Sequence, residues 1–178
     1  MATAKIVGLD ETVRALRQFD PAALKEMNKT IYQALKIAQT DARRLAPAVS
    51  PLSGWARPVK EGRWADRTFT PRAVKMGLKT KIDRARRRGT WTSKAYLLIN
   101  SDAAGSIYET AGRKNPKGNS KQGANFNKLI ARQSGIIVRG KQGRIAYKAV
   151  EDNRTEIIAM SMAAIDKAQV AVNRKLAK

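Results

Sequence analysis

The sequence contains no cysteine and no histidine among its 178 residues. Without cysteine there is neither a disulfide framework nor a thiol nucleophile, and without both residues there is no Cys/His zinc site. The lack of histidine also removes the imidazole general base and the Ser-His-Asp triad. Disulfide-stabilised folds, zinc modules and histidine-dependent catalysis are therefore excluded.

Long apolar runs are also missing. The longest wholly apolar run is AYLLI at 95–99, and the stretch 157–165 is interrupted by Ser161. A membrane-spanning helix needs about 20 apolar residues, and the N-terminus lacks the basic and apolar regions of a secretory signal. We expect a protein made in the cytoplasm, with no membrane partner.

Acidic residues are scarce relative to basic ones. There are 14 Asp+Glu against 36 Lys+Arg, which gives a net charge of +22 and a pI near 10.9. The excess is concentrated in two segments, 54–94 and 110–150, which carry +10 each, and the second contains no acid. Both ends of the chain are nearly balanced. An anionic partner is expected to meet the middle of the chain.

The few carboxylates show no catalytic or metal-binding spacing. Asp66, Asp83, Asp102, Glu109 and the pair Glu151-Asp152 are the candidates for such roles. Asp102 is better explained as a helix cap, and Glu151-Asp152 as acids in the first turn of a closing helix. We expect no enzyme activity, no cofactor, no metal and no small-molecule substrate.

Apolar periodicity predicts helices at both ends. Asp10 is a candidate cap for a short helix carrying Val13 and Leu16. Asp20-Pro21 opens a second helix, whose apolar residues recur at three- and four-residue spacing up to Ala46-Pro47. The closing helix is predicted from about Lys148 to the end, with an apolar stripe formed by Ile158, Met162, Ile165, Val172 and Leu176.

The middle of the chain predicts a hairpin between long loops. Alternation over 74–82 predicts a strand, 84–89 its turn and 91–100 an antiparallel partner. A short helix is expected over 103–110, and a helical turn near 126–130 and a strand at 136–138 lie within the basic stretch. The fold class is α+β: two long helices packed on a small antiparallel sheet. A single domain over 1–178 is expected, with extended loops or arms at about 47–71 and 111–144.

Two basic clusters point to nucleic acid. Arg84, Arg86, Arg87 and Arg88 lie together at the predicted turn and suit phosphate contact; the alternative is a solvated hairpin tip. The stretch 112–121 combines glycines with cations but lacks the Walker A spacing, so it is either a flexible loop on nucleic acid or an exposed linker. No motif that reads bases is present, which favours contact with the phosphate backbone.

The three tryptophans leave several alternatives open. Trp55, Trp64 and Trp91 stand near basic residues, as in proteins that stack single-stranded bases. Large aromatics also fill cores or anchor subunit contacts. With only 6% aromatic residues in the chain, the latter two roles are favoured.

Several short segments resemble the tail-completion, or head-to-tail joining, family of long-tailed bacteriophages, to which minor tail protein Z of phage lambda is related. The segments are GLDE at 8–11, the helix ending ARRLAP at 42–47, the turn PLSG at 51–54 and IYETAGR at 107–113. The closing helix after 146–150 also stands where the family places one. The stretches 47–71 and 113–144 are longer here than is usual for the family.

This resemblance implies a non-enzymatic virion protein. It would form a homo-oligomeric, sixfold ring in the neck, assembled in the host cytoplasm, between head-completion proteins and the tail tube. Double-stranded DNA passes through the channel of such a ring. The alternatives are a tail terminator protein that caps the tube, and a monomeric, sequence-independent nucleic-acid-binding protein.

Two sets of candidate residues follow. Those expected to contact the DNA backbone or face the channel are Arg84, Arg86, Arg87, Arg88, Arg113, Lys114, Lys117, Lys121, Arg139, Lys141 and Arg144. Those expected to make assembly contacts are Trp55, Trp64, Tyr108, Ile158, Met162 and Ile165.

Overall fold

The structure is a computed structural model that describes residues 13, 16–18, 20–57, 68–82, 86–88, 91–93, 96–140 and 142–176. Its elements in chain order are α1 (Pro21–Leu45), a 3₁₀ turn (Ser53–Ala56), α2 (Pro71–Gly77), β1 (Leu78–Ile82), β2 (Arg86–Arg88), β3 (Trp91–Ser93), β4 (Tyr96–Asn100), α3 (Ala103–Thr110), α4 (Lys121–Ser134), α5 (Ala146–Asp152) and α6 (Arg154–Leu176). Val13 and residues 16–18 are helical ahead of α1. Long helices with little sheet confirm the predicted α+β class.

Helix α1 begins and ends as predicted. The Asp20 carboxylate accepts a hydrogen bond from the backbone N–H of Ala23 at 3.1 Å, and Pro21 occupies the first helical position, where its missing N–H has no intrahelical partner to lose. The helix ends at Leu45, directly before Ala46-Pro47. Local capping therefore decides both ends.

The strand predicted over 74–82 is wrong in its first half. Residues 71–77 form α2, and only 78–82 form β1. Thr70 is extended and Pro71 stands at the first helical position, a start signal that overrides the alternating pattern. In the helix Val74 is fully buried, while Met76 is 59% exposed.

The sheet differs from a single hairpin. β1 pairs with β4, and β2 pairs antiparallel with β3, with Arg86 opposite Ser93 and Arg88 opposite Trp91. Residues 86–88, predicted as turn, are therefore strand, and the predicted strand 91–100 is two strands with different partners. Arg84 lies outside the described residues, as do the side chains of β2 and β3.

The chain divides into two compact units, one built from 38–79 and 98–152. Its core is formed by these buried residues: Ala42, Ala46, Phe69, Val74, Leu78, Ala104, Tyr108, Ile130, Ile145, Ala146 and Ala149. In the same unit, the exposed Arg43 donates hydrogen bonds to the carbonyls of Lys75 and Leu78 at 3.2 and 3.1 Å. Gln39 also donates to Leu78 at 2.8 Å. These side chains satisfy carbonyls where α2 ends.

The other unit comprises the described residues of 13–37, 80–97 and 153–176. Its core packs α6 against α1 and against the helical residues ahead of α1. Val13 and Leu16 from the first segment and Met27 and Ile31 from α1 cluster with Ala164, Ile165, Ala168 and Val172 of α6. At the ends of the two helices, Lys175 forms an ion pair with Asp20 at 3.1 Å. The hydrogen bond from the Ala23 N–H, and after it the ion pair with Lys175, hold the pKa of Asp20 below its ordinary value.

The stretch 111–144 is more ordered than a long loop. A full helix, α4, replaces the single turn predicted near 126–130. Residues 136–138 are not part of a strand in the described chain. The Ser134 hydroxyl instead accepts a hydrogen bond from the Ile136 N–H and donates one to the Ile136 carbonyl, each at 3.2 Å. The prediction of a loop over this whole stretch is therefore wrong.

The predicted closing helix is two helices. α5 ends at Asp152, Asn153 forms a turn, and α6 begins at Arg154. Glu151 and Asp152 thus end one helix rather than open the next. Asp152 forms an i,i+4 ion pair with Lys148 at 2.9 Å, the side-chain spacing that stabilises an exposed helix.

Candidate nucleic-acid interface

Helix α4 presents a row of cations on one side. Lys121, Lys128 and Arg132 are exposed and spaced seven and four residues apart, so they share one face. We call this row the α4 cationic face. Toward the core, Ile130 is fully buried, and the Phe126 ring lies 5.3 Å from the Trp55 ring.

The ends of α4 follow from local sequence. The Ser120 hydroxyl accepts a hydrogen bond from the Gly123 N–H at 3.1 Å, which caps the start. Gly135 ends the helix with a φ of +66°, a left-handed conformation that glycine adopts without steric cost. The cationic face therefore stands on a helix with defined ends.

The loop 111–120 is held against α4. Asn127 donates to the Asn115 carbonyl at 3.1 Å, and Asn115 in turn donates to the carbonyl of Gly118 at 2.9 Å and to Asn119 at 2.7 Å. Gly118 has a φ of +69°, and a Cβ there would lie 2.5 Å from the Ala124 nitrogen. The loop predicted to be flexible is instead fastened by side-chain amides, and Lys114 and Lys117 are exposed on it.

A buried acid and a buried base lie under this surface. Glu109 is 4% exposed and accepts hydrogen bonds from the N–H groups of Ile145 and Tyr147, at 2.5 and 2.9 Å. These are donors at the start of α5, so the carboxylate caps that helix from a distant part of the chain. Burial raises the pKa of Glu109, and the backbone hydrogen bonds oppose the shift.

Arg144 is not a surface cation, so its prediction as a DNA contact is wrong. It is 2% exposed and donates to the carbonyls of Tyr108 and Ala111, at 2.8 and 3.0 Å. Burial lowers its pKa, while the charges of Tyr108 and Glu109 act in the opposite direction. The side chain joins α3 and the following turn to the segment that precedes α5.

The other predicted cations fall into three groups. Lys114, Lys117, Lys121 and Arg139 are exposed. Arg113 is half-buried, with its guanidinium 5.4 Å from the Tyr147 ring centroid. Residues outside the described chain are Arg84 and Lys141, together with the side chains of Arg86, Arg87 and Arg88.

Sequence reasoning missed Lys128 and Arg132 as site residues. The sequence does contain the pattern that identifies them: on a helix, their spacing from Lys121 places all three cations on the face opposite the apolar Phe126 and Ile130. The predicted helical turn covers only 126–130, and this shared face becomes visible only over the full length of α4.

Three of the predicted assembly contacts pack in the cores of the chain itself. Tyr108 and Ile165 are each 5% exposed. Trp55 is half-buried, and the centroid of its ring lies 5.0 Å from that of Phe69 and 5.3 Å from that of Phe126. Neighbours in the same chain cover Tyr108 and Ile165 almost completely and Trp55 in part, which leaves little of their surface for contact with another chain.

Of the remaining residues predicted to make assembly contacts, two lie on α6 and one lies outside the described residues. Ile158 is half-buried and Met162 is 44% exposed. Trp64 is outside the described residues. Met162 therefore has apolar surface available for a contact.

Two further observations concern the described residues as a whole. They contain no cluster of three or more His, Cys, Asp or Glu side chains that could hold a metal ion. None of their helices combines the length and the apolar character needed to cross a membrane.

Comparisons with known proteins give no relative: no protein-family model, no curated protein and no solved structure matches the chain.

Proposed function

We propose that this chain is a structural protein of a bacteriophage neck, where it forms a ring that joins head-completion proteins to the tail tube around the DNA channel. The observation that carries the proposal is the charge of 110–150, which has ten bases and no acid. Most of these cations stand exposed on an ordered frame. A protein that surrounds DNA without reading its sequence needs such a surface.

The frame supports this role because it holds the cations in place. α4 is capped at both ends and packed against the core, and the loop before it is fastened by Asn115 and Asn127. Cations on a rigid surface lose less conformational freedom when they meet phosphates than cations on a disordered tail. In the proposed ring, the α4 cationic face and Lys114 and Lys117 face the DNA.

The segment IYETAGR at 107–113, which resembles the family, has a defined structural role. Tyr108 and Glu109 are buried, and the turn at Ala111 accepts a hydrogen bond from Arg144. Short segments that organise a core can persist in a family while exposed loops vary in length.

The test is electron microscopy of the purified protein with head and tail components, with subunits counted in any ring. We expect a sixfold ring at the head–tail joint with the α4 cationic face toward the channel. A ring only at the end of the tail tube would indicate the tail terminator instead.

The net charge of +22 also favours a second candidate, a monomeric, sequence-independent nucleic-acid-binding protein. That protein needs no ring. A chain that coats DNA as a monomer and never enters a particle would overturn the neck proposal and support this alternative.

A further inference from the structure

A cavity of about 430 Å³ opens between the loop that follows α3, helix α4 and residues 135–138. Its walls are largely apolar and include Pro116, Ala131, Ile137 and Val138. Ile137, one of the lining residues, is 62% exposed. The site therefore offers apolar surface that the chain itself does not cover.

Three cationic side chains line the same cavity: Lys128 and Arg132 from the α4 cationic face, and Arg144. No acidic side chain lines it. A carboxylate entering the cavity would thus meet only positive charge from the lining side chains.

Arg144 supplies a second, independent observation. Both of its terminal nitrogens are used, one on the Tyr108 carbonyl and the other on that of Ala111. Its Nε is buried and has no hydrogen-bond partner. A buried donor left unpaired is unfavourable, and a ligand oxygen that accepted from it would remove that cost.

We infer that this cavity binds a carboxylate of an acidic peptide segment from a partner protein, with a neighbouring aliphatic side chain of the segment against Ile137 and Val138. Lys128 and Arg132 attract the carboxylate at the cavity, and a small movement of the cavity wall lets the buried Nε of Arg144 donate to it. The inference goes beyond the DNA contact proposed above and holds whether or not the chain forms a ring.

The apolar lining decides between a peptide and DNA. A phosphodiester backbone is polar along its length and gains nothing from Pro116, Ala131 or Val138. An acidic peptide with aliphatic residues places both kinds of group within one short segment, which is the pattern of peptide recognition by a pocket with a charged anchor.

The experiment follows the Nε–H signal of Arg144 in ¹H–¹⁵N NMR spectra of the full chain. The probe is a short peptide of alternating leucine and glutamate, blocked at both ends, titrated to millimolar concentration. The same peptide with glutamine for glutamate, and a short duplex DNA, are titrated separately. We expect only the acidic peptide to shift the Arg144 signal in a saturable way.

Single substitutions then locate the site. Arg132→Gln and Lys128→Gln should each weaken binding of the acidic peptide about three- to fivefold, as the loss of one partly screened charge predicts. The matched controls Arg139→Gln and Lys114→Gln remove an exposed cation that does not line the cavity. They should leave the affinity within about twofold of the parent.

Three results would overturn the inference. The glutamine peptide could bind equally well, which would mean an apolar site without a carboxylate anchor. The DNA could shift the Arg144 signal more strongly than the peptide does. Finally, the signal could stay in place throughout the peptide titration.

Discussion

At the scale of single residues, Glu109 explains why the segment around α3 is tied to the start of α5. Its carboxylate receives the N–H groups of Ile145 and Tyr147, 36 and 38 residues further along the chain. Gly143 makes this approach possible, because a Cβ at that position would collide with the Glu109 carboxylate and the Tyr147 ring. The charge is thus stabilised inside the protein by backbone donors.

Glu109 should make stability depend on pH. Because burial raises its pKa above the ordinary 4.5, there is a pH range above 4.5 in which the folded chain holds a proton that the unfolded chain has lost. The folded state binds more protons there, so the free energy of unfolding falls as pH rises through this range. Urea unfolding at a series of pH values should show this decline, and Glu109→Gln should lack it.

The control for this prediction is Glu156→Gln, which changes an exposed carboxyl in the first turn of α6. It should keep the decline seen in the parent protein. Parallel stability curves for the parent and Glu109→Gln would contradict the prediction.

Two glycines with similar φ angles allow the cost of a left-handed backbone to be distinguished from the cost of a steric clash. Gly118 and Gly135 have φ values of +69° and +66°, but only Gly118 is close to other atoms at the position a Cβ would take. Gly135→Ala should cost about 1–2 kcal/mol, the cost of a left-handed alanine. Gly118→Ala should cost about 3 kcal/mol or more, because the Ala124 backbone must also move.

Thermal or urea unfolding of both variants measures the difference. Equal losses would mean that the loop 111–120 yields without resistance and is not fastened to α4 as its hydrogen bonds indicate.

At the scale of elements, α4 carries the predicted contact with DNA. Changing Lys121, Lys128 and Arg132 together to Gln should weaken binding to duplex DNA. It should also reduce the slope of log affinity against log salt by about 2 to 3, since each phosphate contact releases about 0.9 counterion. Fluorescence anisotropy at several salt concentrations measures both quantities.

A matched triple variant removes the same charge elsewhere. Lys25, Lys29 and Lys167 are exposed helical lysines of the other compact unit. Changing them to Gln should lower the slope by less than the α4 variant does. If both triples act equally, net charge alone determines binding and the α4 cationic face has no special role.

The hairpin β2–β3 is the second element that we expect to contact DNA. Replacing Arg84, Arg86, Arg87 and Arg88 by Ser should weaken DNA association, while backbone pairing of β2 with β3 and the helical circular dichroism signal persist. Salt-dependent binding identical to that of the parent would remove the arginine cluster from the interface.

At the scale of the whole molecule, the net charge should control the proposed assembly. Each copy carries +22, so copies repel one another at low ionic strength, and a polyanion in the channel or added salt reduces the repulsion. Sedimentation velocity should therefore show more ring formation with duplex DNA or higher salt than at low salt without DNA. If neither duplex DNA nor added salt changed the ring population, the proposal of a channel that surrounds DNA would be contradicted.

The sequence by itself determined the features that depend on local signals. Asp20-Pro21 and Ala46-Pro47 set the ends of α1, Asp102 caps α3 by accepting from the Gly105 N–H at 3.0 Å, and the net charge is a sum that no fold can alter. Each is decided by a few neighbouring residues or by composition alone, so each was predicted correctly or counted directly.

Only the tertiary structure decided the rest. Arg144 and Glu109 look like surface charges in sequence, and their burial depends on carbonyls and N–H groups more than 30 residues away. The division of 91–100 between two strand partners depends likewise on which segments meet in space. These outcomes are set by long-range contacts, which a periodic pattern along the chain does not contain.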